Sequence, residues 1–305
     1  METADPRIEA VIIEGEEPAA APPRRGRNET LYFALRNTKL VAGLSVVLFF
    51  LGLAIVGPWL TDATPFEFGY PLGVPPSTEY WLGTTAPGQD VFAQFVYGLR
   101  SSFVVGALGG CIAAVIAMTV GFLGGYRGGV IDDLLSMLTN VVLVIPTLAV
   151  LIVVAAYLSV QSLATEAVLI GVTSWPWAAR AIRAQTFSLA TREFVSLARL
   201  SGRGSVRIIV KEIAPNMSSY LFLAFILLFG NAVLIAATLD FLGLGPTQVM
   251  SLGLMLYTAV SASALQLEMW WWFIPPGIGI TAIVGGLYVM NVGLDEVFNP
   301  RLRKT

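Results

Sequence analysis

Five stretches of the chain run for about twenty residues or more without a charged side chain: 40–60, 101–126, 134–158, 217–239 and 269–294. A helix rising 1.5 Å per residue needs about 20 apolar residues to cross the hydrocarbon core of a bilayer, so each stretch predicts a transmembrane helix. A sixth stretch, 163 to about 184, carries Glu166 near one end and Arg180 and Arg183 near the other. Those positions let charged heads snorkel to an interface while the centre stays apolar. The stretch 241–267 is also uncharged, but Gly243, Gly245, Pro246, Gln248 and several serines suit a gate or re-entrant loop better than a lipid-facing helix.

The basic residues choose between six spans and seven. With six, the N-terminal segment, Arg127, the cluster from Arg180 to Lys211, and Arg301, Arg303 and Lys304 share one side, and Arg100 alone lies at the edge of the other. The positive-inside rule then places both termini in the cytoplasm. Residues 1–38 are polar, with Glu9, Glu14, Glu16 and Glu17 ahead of Arg24, Arg25 and Arg27, and are expected to be a disordered cytoplasmic tail. The first helix follows at 39–60. Residues 61–99, with four acidic residues, five prolines and no Lys or Arg, form an extracytoplasmic segment. Residues 100–298 make a core of five further helices, and 299–305 a cytoplasmic tail. The first apolar run starts only near Leu40, which speaks against a signal peptide. No internal repeat suggests a secondary transporter.

Composition narrows the function. Of 305 residues, 56% are hydrophobic and 12% charged, about half the charge share of soluble domains, so much of the surface must face lipid. The net charge of −2 and the lack of a basic stripe give no sign of nucleic-acid binding. There is no histidine and one cysteine, Cys111, which removes imidazole catalysis, His-ligated zinc, thiolate metal sites and disulfides. None of the three lysines follows a glycine, so a GK[ST] phosphate loop is absent. No catalytic constellation, cofactor site or metal site is expected. The five clear spans contain no Asp, Glu, Lys or Arg, which argues against an ion-coupled secondary transporter.

The segment 192–216, REFVSLARLSGRGSVRIIVKEIAPN, lies between the fourth and fifth spans. Phe194, Leu197, Ala198 and Ser201 recur at i, i+3, i+4, i+7 and predict a short amphipathic helix with Glu193 at its start. Gly202 permits a sharp turn. A second amphipathic segment follows, with Val206, Ile209, Val210 and Ile213 on one face and Arg207 and Lys211 on the other. Pro215 fits the first turn of the fifth span. By periodicity alone the pair could equally lie on lipid headgroups.

This segment resembles the cytoplasmic "EAA" coupling loop of bacterial ABC importer permeases, with its glycine and later I-x-P-N. Glu193, Ala198, Arg199, Gly202, Arg207, Ile208, Ile209, Ile213, Pro215 and Asn216 fall on matching positions, while Glu-Ala-Ala stands here as Ser196, Leu197 and Ala198. Three further segments resemble the dipeptide/oligopeptide branch. WLGTTAPGQDVFAQFVYGLRSS (81–102) is similar to F-G-T-D-x-x-G-R-D-V…Y-G-x-R-x-S, with Thr85 and Gln89 replacing the usual Asp and Arg. LDFLGLG (239–245) is similar to L-S-F-L-G-L-G, and NPRLR (299–303) to D-P-R-L-R.

The resemblance implies an all-α integral membrane fold of the type I ABC importer permease, with six transmembrane helices and a cytoplasmic coupling-helix loop, in a bacterial or archaeal plasma membrane. It implies pairing with a second homologous permease and two cytoplasmic ATPase subunits, which bind ATP and Mg, and cargo from an extracytoplasmic binding protein. Glu193, Phe194, Ser196, Leu197, Ala198, Arg199, Gly202 and Arg207 would then form the ATPase-coupling site. Asn140 and Asn231, polar at membrane depth, are candidates for lining the pathway, or for interhelical hydrogen bonds alone. Pro146 and Pro176 should kink their helices. Gly109-Gly110 and Gly124-Gly125 suit close helix packing, and Trp270, Trp271 and Trp272 an interfacial aromatic belt. Short peptides are the expected cargo, oligosaccharides second and nickel a distant third, since no His, carboxylate cluster or thiolate pair lines the path.

Overall fold

In the computed structural model, residues 27–158, 160 and 162–298 are described. The expected N-terminal tail up to residue 26 and the NPRLR segment lie outside them. Among the described residues the chain is helical with no strand: α1 (Arg27–Arg36), α2 (Thr38–Val56), α3 (Val91–Arg127), α4 (Gly129–Val144), α5 (Thr147–Leu158), α6 (Leu163–Ser174), α7 (Pro176–Ala190), α8 (Glu193–Leu200), α9 (Ser205–Ile208), α10 (Ala214–Asn216), α11 (Ser218–Phe241), α12 (Leu252–Ser261) and α13 (Trp270–Phe298). The last part of the expected tail is thus helix α1.

Four helices are each long and apolar enough to cross a membrane: α2 with its terminal turn, α3, α11 and α13. The span expected over 134–158 is two helices, α4 and α5, bent by 79°. The break falls at Ile145, which is extended (φ −75°, ψ 127°) because the following Pro146 disfavours helical backbone before it. The sixth expected span is also two helices, of 12 and 15 residues, meeting at Trp175 with Pro176 in the first turn of the second. Neither is long enough alone, so length and apolarity count four spans, or five with the bent pair. The uncharged stretch after α11 contains no helix long enough to cross a membrane. Its only helix there, α12, is ten residues, about 15 Å or half the hydrocarbon thickness.

Helix α3 is the centre of the bundle. It has 37 residues and is about 55 Å long, so it projects beyond the apolar core. Asp90 caps its start, accepting from the Phe92 and Ala93 amides at 2.7 and 3.2 Å. Small residues on its flanks let neighbours approach. A Cβ on Gly110 would sit 3.0 Å from the Phe229 Cα of α11, and one on Gly121 2.9 Å from the Ala179 carbonyl oxygen of α7. The two glycine pairs are packing contacts, as expected.

Residues 61–90 clasp the end of the bundle where α3 begins. Thr84, buried, donates its hydroxyl to the Pro71 carbonyl at 2.6 Å, and its own carbonyl accepts from Trp271 Nε1 at 3.1 Å. Thr85 and Gln89, which stand where the family pattern has a charge pair, keep a neutral link: Thr85 Oγ1 accepts from the Gln89 amide at 2.9 Å. The aromatic belt needs correction. Only Trp270 of the three is exposed, whereas Trp271 and Trp272 are buried in the core, because successive residues on a helix face different ways.

At the opposite end, Asn37 caps α2 and donates to Glu296 of α13 at 2.8 Å, while Lys39 pairs with the same carboxylate. Between these ends α2 and α13 touch at backbone distance: a Cβ on Gly43 would lie 2.6 Å from the Gly286 carbonyl oxygen. Gly43→Leu should therefore force α2 off α13 and cost about 1–3 kcal/mol, read as a lowered Tm of the detergent-purified protein. Gly52→Leu, where nothing lies within 4 Å of the added carbon, should leave Tm unchanged or raise it.

Candidate functional site: a coupling segment and a polar lane

The segment 192–216 folds as a helix, a turn and a second helical stretch. Helix α8 ends in a paired-hydrogen-bond cap. The Arg203 amide donates to the Ala198 carbonyl at 3.2 Å and the Gly202 amide to the Arg199 carbonyl at 3.0 Å, with Gly202 at φ +72°. This is the Schellman arrangement, in which a left-handed residue after the helix satisfies its last carbonyls. Nothing lies within 4 Å of a Cβ built on Gly202, so a side chain there meets backbone strain rather than a clash.

The buried face differs from the expected one. Val195 and Ala198 are buried and Phe194 half-buried, while Leu197 is 64% and Leu200 85% exposed and Ser201 is exposed. The periodic set of Phe194, Leu197, Ala198 and Ser201 shares only Ala198 with the fully buried face. In the second stretch Ile208, Ile209 and Ile213 are buried and Val206 and Val210 exposed. The reason is a π-helical turn over Ile209–Ile213 directly after α9, whose wider winding shifts the phase that an α-period assumes. Pro215 lies in α10, one short turn ahead of α11.

Val195, Ala198, Ile208, Ile209 and Ile213 share one core cluster with Ala113 and Ala117 of α3 and Ile182 of α7. Arg199 adds a second tie. Its Nε donates to the Tyr126 hydroxyl of α3 at 3.2 Å, and its guanidinium carbon lies 4.9 Å from that ring's centroid. Arg203 pairs with Glu212 across the turn. Glu193, Ser196 and Arg207 are exposed. The segment is thus mounted rigidly on α3 and α7 while four apolar side chains, Leu197, Leu200, Val206 and Val210, point away from the bundle.

The two candidate pathway residues lie in neighbouring cavities. Asn140 lines one of about 430 Å³ with Ser136, Thr139, Arg180 and Arg183, between α4 and α7. Asn231 lines another of about 470 Å³ with Pro146, Thr173, Ser174 and Thr238. The first takes Thr139 and Asn140 of α4 with Ala179, Arg180 and Arg183 of α7, and the second takes the adjoining Val142, Leu143, Pro176 and Trp177, so the two follow one another along these helices. Arg180 and Arg183 do not simply snorkel. Arg183 forms a two-pronged ion pair with Asp132 in the first turn of α4, and Arg180 Nη2 donates to Asn140 Oδ1 at 2.6 Å. Asn140 makes an interhelical bond and lines a cavity at once.

Two acids were misplaced or missed by the sequence pattern. Glu166 does not snorkel but is 1% exposed at the α6–α11 contact, where its electrostatic neighbour is Asp240, 4% exposed. Helix α11 runs to Phe241 and so takes Asp240 into a span that the apolar pattern ended at Leu239. Asp240 Oδ2 accepts from Ser251 Oγ at 2.5 Å, and Ser251 caps α12 through the Leu254 amide. The substitution of Asp for Ser in LDFLGLG was the available signal.

A helical bundle with four helices long and apolar enough to cross a membrane defines a multi-pass membrane protein. The comparisons with known proteins agree. The family described as binding-protein-dependent transport system inner membrane component matches residues 113–304. The dipeptide transport system permease protein DppC of Alkalihalophilus pseudofirmus is 32% identical over 88% of this chain and 88% of its own length. The Haemophilus influenzae protein of that name is 30% identical over 95% and 99%, and the oligopeptide transport system permease protein OppC of Mycobacterium bovis 33% over 88% and 92%. This chain belongs to the binding-protein-dependent transport system inner membrane component family, the permeases of ABC importers. It is a transport subunit rather than an enzyme.

If Arg199 helps hold α8 on α3, Arg199→Ala should expose the amides of 193–200. A cation–π contact at an exposed site is worth about 0.5–1 kcal/mol, so hydrogen exchange there should quicken roughly two- to fivefold. Unchanged exchange would show that apolar packing alone seats the helix.

Proposed function

We propose that this chain conducts short peptides through a bacterial or archaeal plasma membrane as one of two homologous permease subunits, driven by two cytoplasmic ATPase subunits and supplied by an extracytoplasmic binding protein. The observation that carries the ATPase assignment is the coupling segment. Leu197, Leu200, Val206 and Val210 are exposed, yet their helices are seated on α3 and α7 by buried neighbours. Exposed apolar side chains on a rigid mount fit a groove on a partner. Movement of that partner would reach α3 and α7 as rigid-body displacement between discrete states. Glu193, Phe194, Ser196, Leu197, Ala198, Arg199, Gly202 and Arg207 supply this site. ATP and Mg belong to the partner subunits.

The names of the relatives, which are dipeptide and oligopeptide permeases, support peptides as cargo. The lane of Asn140 and Asn231 lies on the outside of this chain, and a second permease facing it would close it into a pathway. Its wall sets amides, hydroxyls and apolar surface beside the guanidiniums of Arg180 and Arg183, and polar contacts open to solvent do not hold a solute long.

The complex reconstituted with its ATPase subunits and binding protein should hydrolyse ATP faster when short peptides of varied sequence are added. Stimulation by sugars alone, or by nickel alone, would overturn the cargo assignment. Gly202→Val should strain the turn by about 1–3 kcal/mol, leave the complex assembled and uncouple ATP hydrolysis from uptake. Normal peptide uptake by this variant would remove 192–216 from the coupling role.

Orientation has its own test. In a Cys111→Ser background, a cysteine at Pro75 should react with an impermeant thiol reagent added to intact cells, and one at Ser205 should stay silent. The reverse pattern would put the coupling segment outside.

A further inference from the structure

Arg180 and Arg183 stand one turn apart on α7 and face the same cavity, but only one is neutralised. Arg183 is paired with Asp132, whereas the hydrogen bond of Arg180 goes to the amide oxygen of Asn140, which carries no charge. Among the described residues no carboxylate forms an ion pair with Arg180. Its side chain is exposed to the cavity of about 430 Å³, whose other polar lining, Ser136 and Thr139, is neutral. The hydroxyl of Thr139 is used on the Leu135 carbonyl at 2.7 Å and that of Ser136 on Asp132 at 3.3 Å, so neither offers a competing donor. The cavity therefore presents one uncompensated guanidinium with donors to spare, oriented by Asn140.

We propose that Arg180, steadied by Asn140, is a subsite for the carboxylate of the peptide in transit; this rests on the peptide-import reading above. A guanidinium fork matches a carboxylate in two parallel hydrogen bonds, whereas a cationic solute is repelled and a neutral one leaves the charge unpaired. The neighbouring cavity continues along α4 and α7 with Asn231, Thr173 and Thr238 beside the apolar Leu148 and Trp177, which suits a peptide's backbone and side chains. Because Arg180 is open to solvent, the hold is weak enough for release. A membrane phosphate is the rival occupant of the same charge, but it would bring two acyl chains to a cavity lined by hydroxyls and amides.

The test uses the complete importer in proteoliposomes with binding protein already loaded. Single-turnover uptake per loaded binding protein is compared for a dipeptide and its C-terminal amide, in vesicles with and without anionic lipid. Arg180→Gln should lower uptake of the free acid about tenfold and of the amide less than about twofold, with Arg180→Lys between wild type and Gln for the acid. An equal fall for acid and amide, or an unchanged acid-to-amide ratio, would overturn the subsite. So would a defect that tracks anionic lipid. If Arg180→Gln does not assemble, Arg180→Lys keeps the charge without the fork, and its acid-to-amide ratio decides in the same way. Wild-type vesicles that import neither compound would overturn the peptide reading itself, a result distinct from failure of the subsite.

Discussion

In a bilayer, lipid tails are as apolar as leucine, so helices gain little from hiding apolar surface against one another. Their association depends on close packing and on hydrogen bonds between them. In this protein that dependence falls on α3. Its glycines admit α11 and α7 to near-backbone contact, Gly110 against Phe229 and Gly121 against Ala179, and Gly125 meets the Arg183 carbonyl at 2.5 Å from a built Cβ. The last of these contacts sets the position of α7 and hence the direction in which Arg180 and Arg183 look. The length of α3 matters too, because its final turn brings Tyr126 past the apolar core to the coupling segment.

The segment 192–216 follows from that placement. Its helices are too short to be stable alone, since isolated helices of fewer than about 12 residues are marginal in water. They persist because Val195, Ala198, Ile208, Ile209 and Ile213 insert into a core already formed by α3 and α7. The same insertion ties the segment to α3 and α7 through one shared core. The π-helical turn at Ile209–Ile213 widens the chain where it enters the bundle, and three isoleucines reach inward as a result.

Polar side chains tie the elements of the bundle to one another. Asp132 and Arg183 meet as an ion pair, Asn140 holds Arg180, Asp240 holds Ser251, and Asn291 of α13 donates to the Leu223 carbonyl of α11 at 2.8 Å. Each bond joins two different helices or a helix to the chain beyond it. They bind the bundle together where hydrophobic burial cannot, and two of them also shape the cavities along α4 and α7.

The apolar runs alone determined that the chain lives in a membrane, because about twenty uncharged residues have few other places to go. Gly202 and its setting determined the turn, since a left-handed residue after α8 is cheap only for glycine. The motif segments determined the family. What stayed hidden depended on partners far away in sequence. The break of the third span needed Ile145 and Pro146 to bend by 79° rather than kink. The inward faces of α8 and the π-helical turn were chosen by α3 and α7, not by their own period. Trp271 went into the core against the clasp of 61–90, and Trp272 is buried beside it. Glu166 stands near the end of an apolar run, where a side chain can snorkel, yet it is buried beside Asp240. Hydropathy along one helix cannot report which neighbour will cover a given face, and only the packed bundle decides that.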